Sequence, residues 1–366
     1  MECALWLHGL FLKGCLLLGK VHRLAWMLLQ SSTQRDGLNV IATVQIKLSR
    51  HCSEVPSLMN SSFSPMVRRL GGVTSHLLVA VIALVVIGGA TRVMEAGLAC
   101  PDWPLCFGTL LPGRQMNLQV FLEWFHRLDA FVIGVALLVM AVAATVLRRR
   151  LPRWLPWFSA LLVLMVLLQG GLGALTVLQL LPSQVVTAHL AVALALVALL
   201  SAGTQRLLQP SGGHPPAWWR PSAGLALAAV MAQCLLGGRM ATTWAAQRCL
   251  AGGEACDSVS WHRFWAMPAA GLVLLFVLIA FVAGGWSRRQ WPWLLSAVLL
   301  VAAQAVLGVT TLRLGLQQPL VTISHQLVAA LLVAVLAAIT ARRPEPVPTT
   351  CPPVVLDDTV LETCHG

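Results

Sequence analysis

The sequence predicts an all-α integral membrane protein whose eight transmembrane helices form two tandem, pseudo-symmetric four-helix bundles. Three observations carry that prediction. Hydrophobic residues make up 58% of the chain and charged residues 10%, whereas a soluble domain carries roughly a quarter of charged residues. Apolar runs of about twenty residues, the length that crosses a hydrocarbon core as helix, recur along the sequence. Finally, Gln169-Gly170-Gly171-Leu172-Gly173-Ala174-Leu175-Thr176, a Pro182 loop and His189 are echoed by Gln304 to Thr311, a Pro319 loop and His325. Such recurrence in order, with one residue of slippage, marks an internal duplication.

The spans follow in order. The first, at about 73–93, comes after Arg68-Arg69 and ends on Gly88-Gly89-Ala90-Thr91-Arg92. The second, 127–147, opens at His126-Arg127 and stops at Arg148-Arg149-Arg150. The third, 155–181, contains the Gln169 motif, and the fourth, 185–205, contains His189. The second unit repeats this plan at 222–241, 263–285 (opening at His262-Arg263), 291–312 (with the Gln304 motif) and 320–341 (with His325). Domain boundaries are accordingly expected at 70–206 and 222–342, joined by a linker at 207–221. Residues 1–69 read as a disordered or over-extended leader, and 343–366, rich in Pro with acidic residues, as a disordered tail.

Basic residues accumulate in cytoplasmic loops. Arg148 to Arg153, Arg206 with Arg220, Arg288-Arg289 and Arg342-Arg343 flank every second helix end, so both termini are expected in the cytoplasm. Loops 94–122, 182–184, 242–260 and 313–319 are expected outside. The net charge of +12 is thereby assigned to topology, with the lipid bilayer as partner and no nucleic acid.

His126 and His262, like His189 and His325, are separated by 136 residues. Their helices all enter from the outer face, which is expected to put the four rings within a turn or two of that surface, as two facing pairs. Ionisable side chains within a membrane point to function; the plainer reading is hydrogen bonding to a neighbouring helix or the headgroups. Zinc usually takes four ligands with Cys or carboxylate help, whereas two opposed imidazoles suit the axial positions of haem iron. Gly170, Gly171, Gly173 and Gly308 are expected to let helices or a flat macrocycle approach closely. Arg127 and Arg263 could pair with propionates or simply snorkel to the interface.

The repeats differ at one telling position: Glu123 precedes His126 by three residues, where Val259 precedes His262. This carboxylate shares a helix face with His126, which suggests chemistry in one unit alone; the alternative is stabilisation of a helix N-terminus. Cys100 and Cys106 in the first outer loop, and Cys249 and Cys256 in the matching loop, are read as one disulfide per unit. A redox-active thiol pair is the alternative.

Gly88-Gly89-Ala90-Thr91-Arg92, Gly97-Leu98-Ala99-Cys100-Pro101-Asp102-Trp103-Pro104-Leu105-Cys106 and Glu123-Trp124-Phe125-His126-Arg127 closely resemble haem A synthase, over about 70–342. The resemblance implies oxidation of the C8 methyl group of haem O to formyl. It implies that His126 and His189 flank substrate haem O, that Glu123 serves as base or cation stabiliser, and that His262 and His325 ligate a haem B cofactor. Arg92, Arg127 and Arg263 become candidate propionate contacts, and both cysteine pairs match the family's loops. Haem O synthase (protohaem farnesyltransferase), an unidentified electron-transfer partner, and cytochrome oxidase or its assembly factors are the implied partners. The bacterial plasma membrane is the expected location, with the mitochondrial inner membrane as alternative. A di-haem b-type electron carrier competes as a function but leaves Glu123 without a role. A transporter built from parallel repeats leaves the cysteine loops unexplained as well.

Overall fold

The computed structural model describes residues 65–209 and 213–344. Readings of the leader before residue 65 and of the tail after residue 344 lie outside the described residues. Within them the chain is helical, without a strand, and eight helices are long and apolar enough to cross a membrane. They are α1 (Pro65–Val93), α2 (Leu118–Val146), α3 (Leu155–Leu178), α4 (Ser183–Leu208), α5 (Trp219–Thr242), α6 (Cys256–Ala283), α7 (Trp291–Arg313) and α8 (Pro319–Ala341). Short helices at Ala245–Gly252 and Gly285–Arg289 fill two connections.

Several helices begin before their apolar runs do. Asn117 caps α2, its side chain accepting from Val120 N at 2.9 Å, and this adds two turns of amphipathic helix ahead of the apolar segment. His126 therefore stands two turns inside α2, and His262 nearly two turns inside α6, where the sequence put both at a helix start. The imidazoles are deeper in the bundles than the apolar runs alone suggested. Prolines at the first helical positions of α3, α7 and α8 set those starts, because proline lacks the N–H that would be unpaired there anyway.

The helices α1 to α4 pack in a ring, each on the next and α1 on α4, and α5 to α8 repeat the ring. Along the seam, α4 packs on α8, while α8 also touches α1 and α4 also touches α5. Lipid chains are as apolar as leucine, so helices associate in a bilayer through close packing and interhelical hydrogen bonds. Both are present at the seam. Ala330, Ala334, Ala337 and Ala338 present a small, buried face on α8. Ser201 of α4 donates to the Ala334 carbonyl at 2.6 Å.

Glycine pairs make the tightest crossings. A β-carbon on Gly89 of α1 would run into the Gln326 side chain of α8, and one on Gly238 of α5 would come within 2.5 Å of Leu190 of α4. Gln326 and Leu190 each follow a repeat histidine, so the same contact is made twice, crosswise between the rings. Trp219, fully buried at the start of α5, donates from Nε1 to the Ile339 carbonyl of α8 at 2.9 Å and packs edge-on against Phe276 and Trp286. The outer faces carry exposed Val139, Leu164, Leu278 and Trp157, as lipid-facing surfaces do.

Trp219→Ala should therefore lower the thermal midpoint in detergent markedly, by an amount equivalent to about 3–5 kcal/mol. Trp157→Ala, at a residue 81% exposed, should shift it little. Equal shifts in differential scanning fluorimetry would show that the α5–α8 contact does not hold the second ring together.

Candidate functional site

Each of the four repeat histidines lies in an even-numbered helix and rests on a glycine of the helix before it. A β-carbon on Gly88 would stand 2.9 Å from Cε1 of His126, and one on Gly173 3.3 Å from Cε1 of His189. The second ring repeats this at 2.8 Å for Gly237 and His262 and 3.1 Å for Gly308 and His325. At Gly88 and Gly237 a β-carbon would force the imidazole to move, and at Gly173 and Gly308 the ring would have to give by a few tenths of an ångström. The sequence reading singled out Gly173 and Gly308 but missed Gly237. It also gave Gly170 and Gly171 a packing role that the structure does not: both are exposed, and a β-carbon on either would meet nothing within 4 Å.

A glutamine four residues before the glycine accompanies three of the four rings. Gln169 Nε2 lies 3.2 Å from His189 Nε2, and Gln304 Nε2 3.3 Å from His325 Nε2. Gln233 Nε2 lies 3.0 Å from His262 Nδ1 and donates to the His262 carbonyl at 2.7 Å. The corresponding residue of α1 is Leu84, so His126 has no glutamine. The sequence reading overlooked Gln233, although the Gln-x-x-x-Gly spacing of Gln233 and Gly237 is the same as that of Gln169 and Gly173.

The rings work in pairs. His126 on α2 and His189 on α4 stand on opposite helices of the first ring, and His262 on α6 and His325 on α8 on opposite helices of the second. Nδ1 of His126, His189 and His325, and Oε1 of Gln169, Gln233 and Gln304, are buried without hydrogen-bond partners. Unpartnered buried polar atoms are costly, and so many around two facing imidazole pairs fit a site that closes around a polar-centred ligand. Among the described residues no three His, Cys, Asp or Glu gather to hold a metal ion by themselves. The donor set is two imidazoles per site, which matches the axial positions of a haem.

Among the described residues, carboxylates stand one turn along the helix from His126 alone of the four histidines, Glu123 before it and Asp129 after it. Glu123 is 5% exposed and both its oxygens are engaged. Oε2 accepts from the Cys100 backbone N–H at 2.8 Å and Oε1 from Arg127 Nη2 at 2.5 Å. Arg127 also donates to the carbonyls of Asp102 at 2.5 Å and Leu105 at 2.6 Å. One ion pair thus clamps the loop between α1 and α2 onto α2. The loop is further tied by Cys100–Cys106, joined at 1.95 Å, by Asp102, which accepts from Phe107 N and Gly108 N, and by Trp124 Nε1 donating to the Leu110 carbonyl. In the second unit Cys249 and Cys256 are likewise joined, at 1.98 Å, but Val259 stands where a clamp would be.

The three arginines named from the sequence occupy different settings. Arg127 is committed to the loop. Arg92 stacks 3.5 Å from the centre of the Trp244 ring and donates to the Ala241 carbonyl at 2.6 Å, joining α1 to the end of α5. Arg263 is exposed.

A sequence profile described as "Cytochrome oxidase assembly protein" (COX15-CtaA) matches residues 73–261, just over half of the chain. Curated relatives include a protein of Sphingopyxis alaskensis named "Heme A synthase", 29% identical over 77% of this chain and 95% of that protein. Another of that name, from Shewanella oneidensis, is 31% identical over 48% of this chain and 57% of its own length. A third, from Caulobacter sp. strain K31, is 28% identical over 70% of this chain and 90% of its own.

Because Arg127 supplies the hydrogen bonds that hold the first loop, Arg127→Ala should speed reduction of Cys100–Cys106 by dithiothreitol on the order of tenfold while leaving Cys249–Cys256 unchanged. Alkylation followed by peptide mass analysis reads both bonds in one sample. Unchanged rates at both would show that the ion pair does not secure the loop.

Proposed function

Since the chain belongs to the cytochrome oxidase assembly protein family, we propose that it is a haem A synthase, an oxidoreductase that converts the C8 methyl group of haem O to formyl. The observation that carries this reading is the buried, ion-paired Glu123 one helical turn before His126, with Val259 at the matching place before His262. A carrier that only passes electrons between two like sites has no use for that difference. The relatives' names support the same reading.

In this assignment α1 to α4, within 70–206, hold the substrate haem O between His126 and His189. Helices α5 to α8, within 222–342, hold haem B between His262 and His325. The unpartnered imidazole nitrogens and the glycine cradles support the fit of both groups. Haem B bound there would supply one-electron transfer to and from the substrate site. Converting a methyl to a formyl group with water as the oxygen source, R–CH3 + H2O → R–CHO + 4 H+ + 4 e−, requires an external electron acceptor, and positive charge develops at the reacting carbon as electrons leave. Glu123 supplies the compensating negative charge. Its oxygens are held by Cys100 N–H and Arg127, so the carboxylate is positioned before substrate arrives and does not reorganise during the reaction. The two disulfides stiffen the loops that cover the sites on their outer side. Arg263, exposed beside His262, is the arginine best placed for a propionate; Arg92 and Arg127 would contact one only alongside their protein partners.

A haem O synthase (protohaem farnesyltransferase) upstream and cytochrome oxidase or its assembly factors downstream are the partners this chemistry requires. The bacterial origin of the relatives supports the plasma membrane as location, and the arginine distribution supports cytoplasmic termini.

The test is mass analysis of haems from a host without haem A that expresses this chain with a haem O synthase. Haem A should appear, and should fall on the order of 10²-fold with Glu123→Ala. Glu123→Gln, which can still accept from Cys100 N, separates loss of charge from loss of the loop contact. Unaltered haem O in cells whose purified protein is folded and haem-loaded would contradict the assignment and favour a di-haem electron carrier.

A further inference from the structure

Among the described residues, one acidic residue besides Glu123 lies well inside a membrane-spanning helix. Asp129 sits one turn beyond His126 on α2, roughly 4.5 Å further along the axis. No hydrogen bond or ion pair engages it among the described residues. It lines an open groove of about 300 Å³ between α1 and α2, together with His76, Leu77 and Ala80 of α1 and Ile133 and Ala136 of α2. That volume falls at the lower end of small-molecule sites. Apart from Asp129 and His76 the named walls are apolar. His76 Nδ1 lies 2.7 Å from the Gly72 carbonyl, so its Nδ1–H donates there and is not available to Asp129.

An unpaired carboxyl in an apolar, membrane-level groove is expensive to keep and points to a ligand. The groove is also specific to the first ring. Aligning the rings on their histidines and glycine pairs puts Trp265 opposite Asp129, Leu225 opposite His76 and Leu272 opposite Ala136. Where the first unit has a lone acceptor and a small residue, the second has bulk and no polar group. The two haems assigned to these rings differ in the same sense. Haem O carries a long isoprenoid chain with a hydroxyl at its root, where haem B carries a vinyl group.

We propose that the groove between α1 and α2 is the subsite for the hydroxyl-bearing isoprenoid side chain of the substrate, Asp129 accepting the hydroxyl hydrogen bond and Ala80, Ile133 and Ala136 receiving the chain. This inference rests on the assignment of haem O to the first ring. Asp129 stands one helical turn from His126, and the apolar walls continue for two further turns of α2 through Ile133 and Ala136. The subsite selects haem O over haem B, which has no hydroxyl to donate and no chain to fill the groove.

The test uses the full chain purified from a host that makes haem B but no haem O, titrated with haem O and separately with haem B while the Soret band is followed. The native protein should bind haem O more tightly than added haem B. Asp129→Asn and Asp129→Ala should weaken haem O about five- to tenfold, leaving the resident haem B and its spectrum unchanged. Ala136→Phe, which fills the groove, should weaken haem O on the order of tenfold or more. If Ala136→Phe loses its resident haem B, it is misfolded and the Asp129 variants decide. Native binding of haem O with unchanged affinity in the Asp129 variants would overturn the subsite alone and leave the groove a lipid-covered surface. A native protein that takes up no haem O would overturn the haem O assignment and the subsite with it.

Discussion

An imidazole inside an apolar helix bundle has to find partners, and the arrangement of this protein follows from satisfying that requirement four times. Each ring is admitted by a glycine on the preceding helix, and three of them meet a glutamine one turn from that glycine. These contacts fix which helices are neighbours and how deep each ring lies. The second glycine of each pair, Gly89 and Gly238, then lets the two rings of helices approach each other. A single local device, repeated, sets both the interior of each bundle and the seam between them.

Against that symmetry, the departures fall in the first unit. Leu84 replaces a glutamine, Glu123 replaces a valine, Asp129 replaces a tryptophan and His76 replaces a leucine. All lie on α1 or α2, around or below His126. The second unit keeps both of its rings held by glutamine, as suits a cofactor that stays. The first holds His189 by glutamine and leaves His126 without one, as suits a ligand that must enter and leave. On the proposed assignment, duplication yields one site for retention and one for turnover, separated by a handful of side chains.

Much of this was legible in the sequence. Span number, histidine equivalence and the Glu123 asymmetry can be read off because hydropathy and a fixed repeat offset are one-dimensional signals. Helix starts were placed too late at His126 and His262, since the first turns of α2 and α6 are amphipathic and hydropathy does not register them. The roles of Gly88, Gly237 and Gln233 were hidden for a different reason. The loop between α1 and α2 is longer than that between α5 and α6, so α1 and α5 are offset by 149 residues and not by 136, and a search at a single offset passes over them. The carbonyl partners of Arg127 and the stacking of Arg92 on Trp244 are backbone and loop contacts, for which sequence offers no pattern at all.

The account stands most directly on the two histidine pairs holding one haem each, with both imidazoles as ligands. Electron paramagnetic resonance of the oxidised, haem-loaded protein, native and with each histidine replaced singly by alanine, measures this. It predicts two low-spin ferric species of bis-imidazole type, one lost in both His126→Ala and His189→Ala, the other in both His262→Ala and His325→Ala. A single species, or loss of the same species on replacing one residue from each pair, would contradict it.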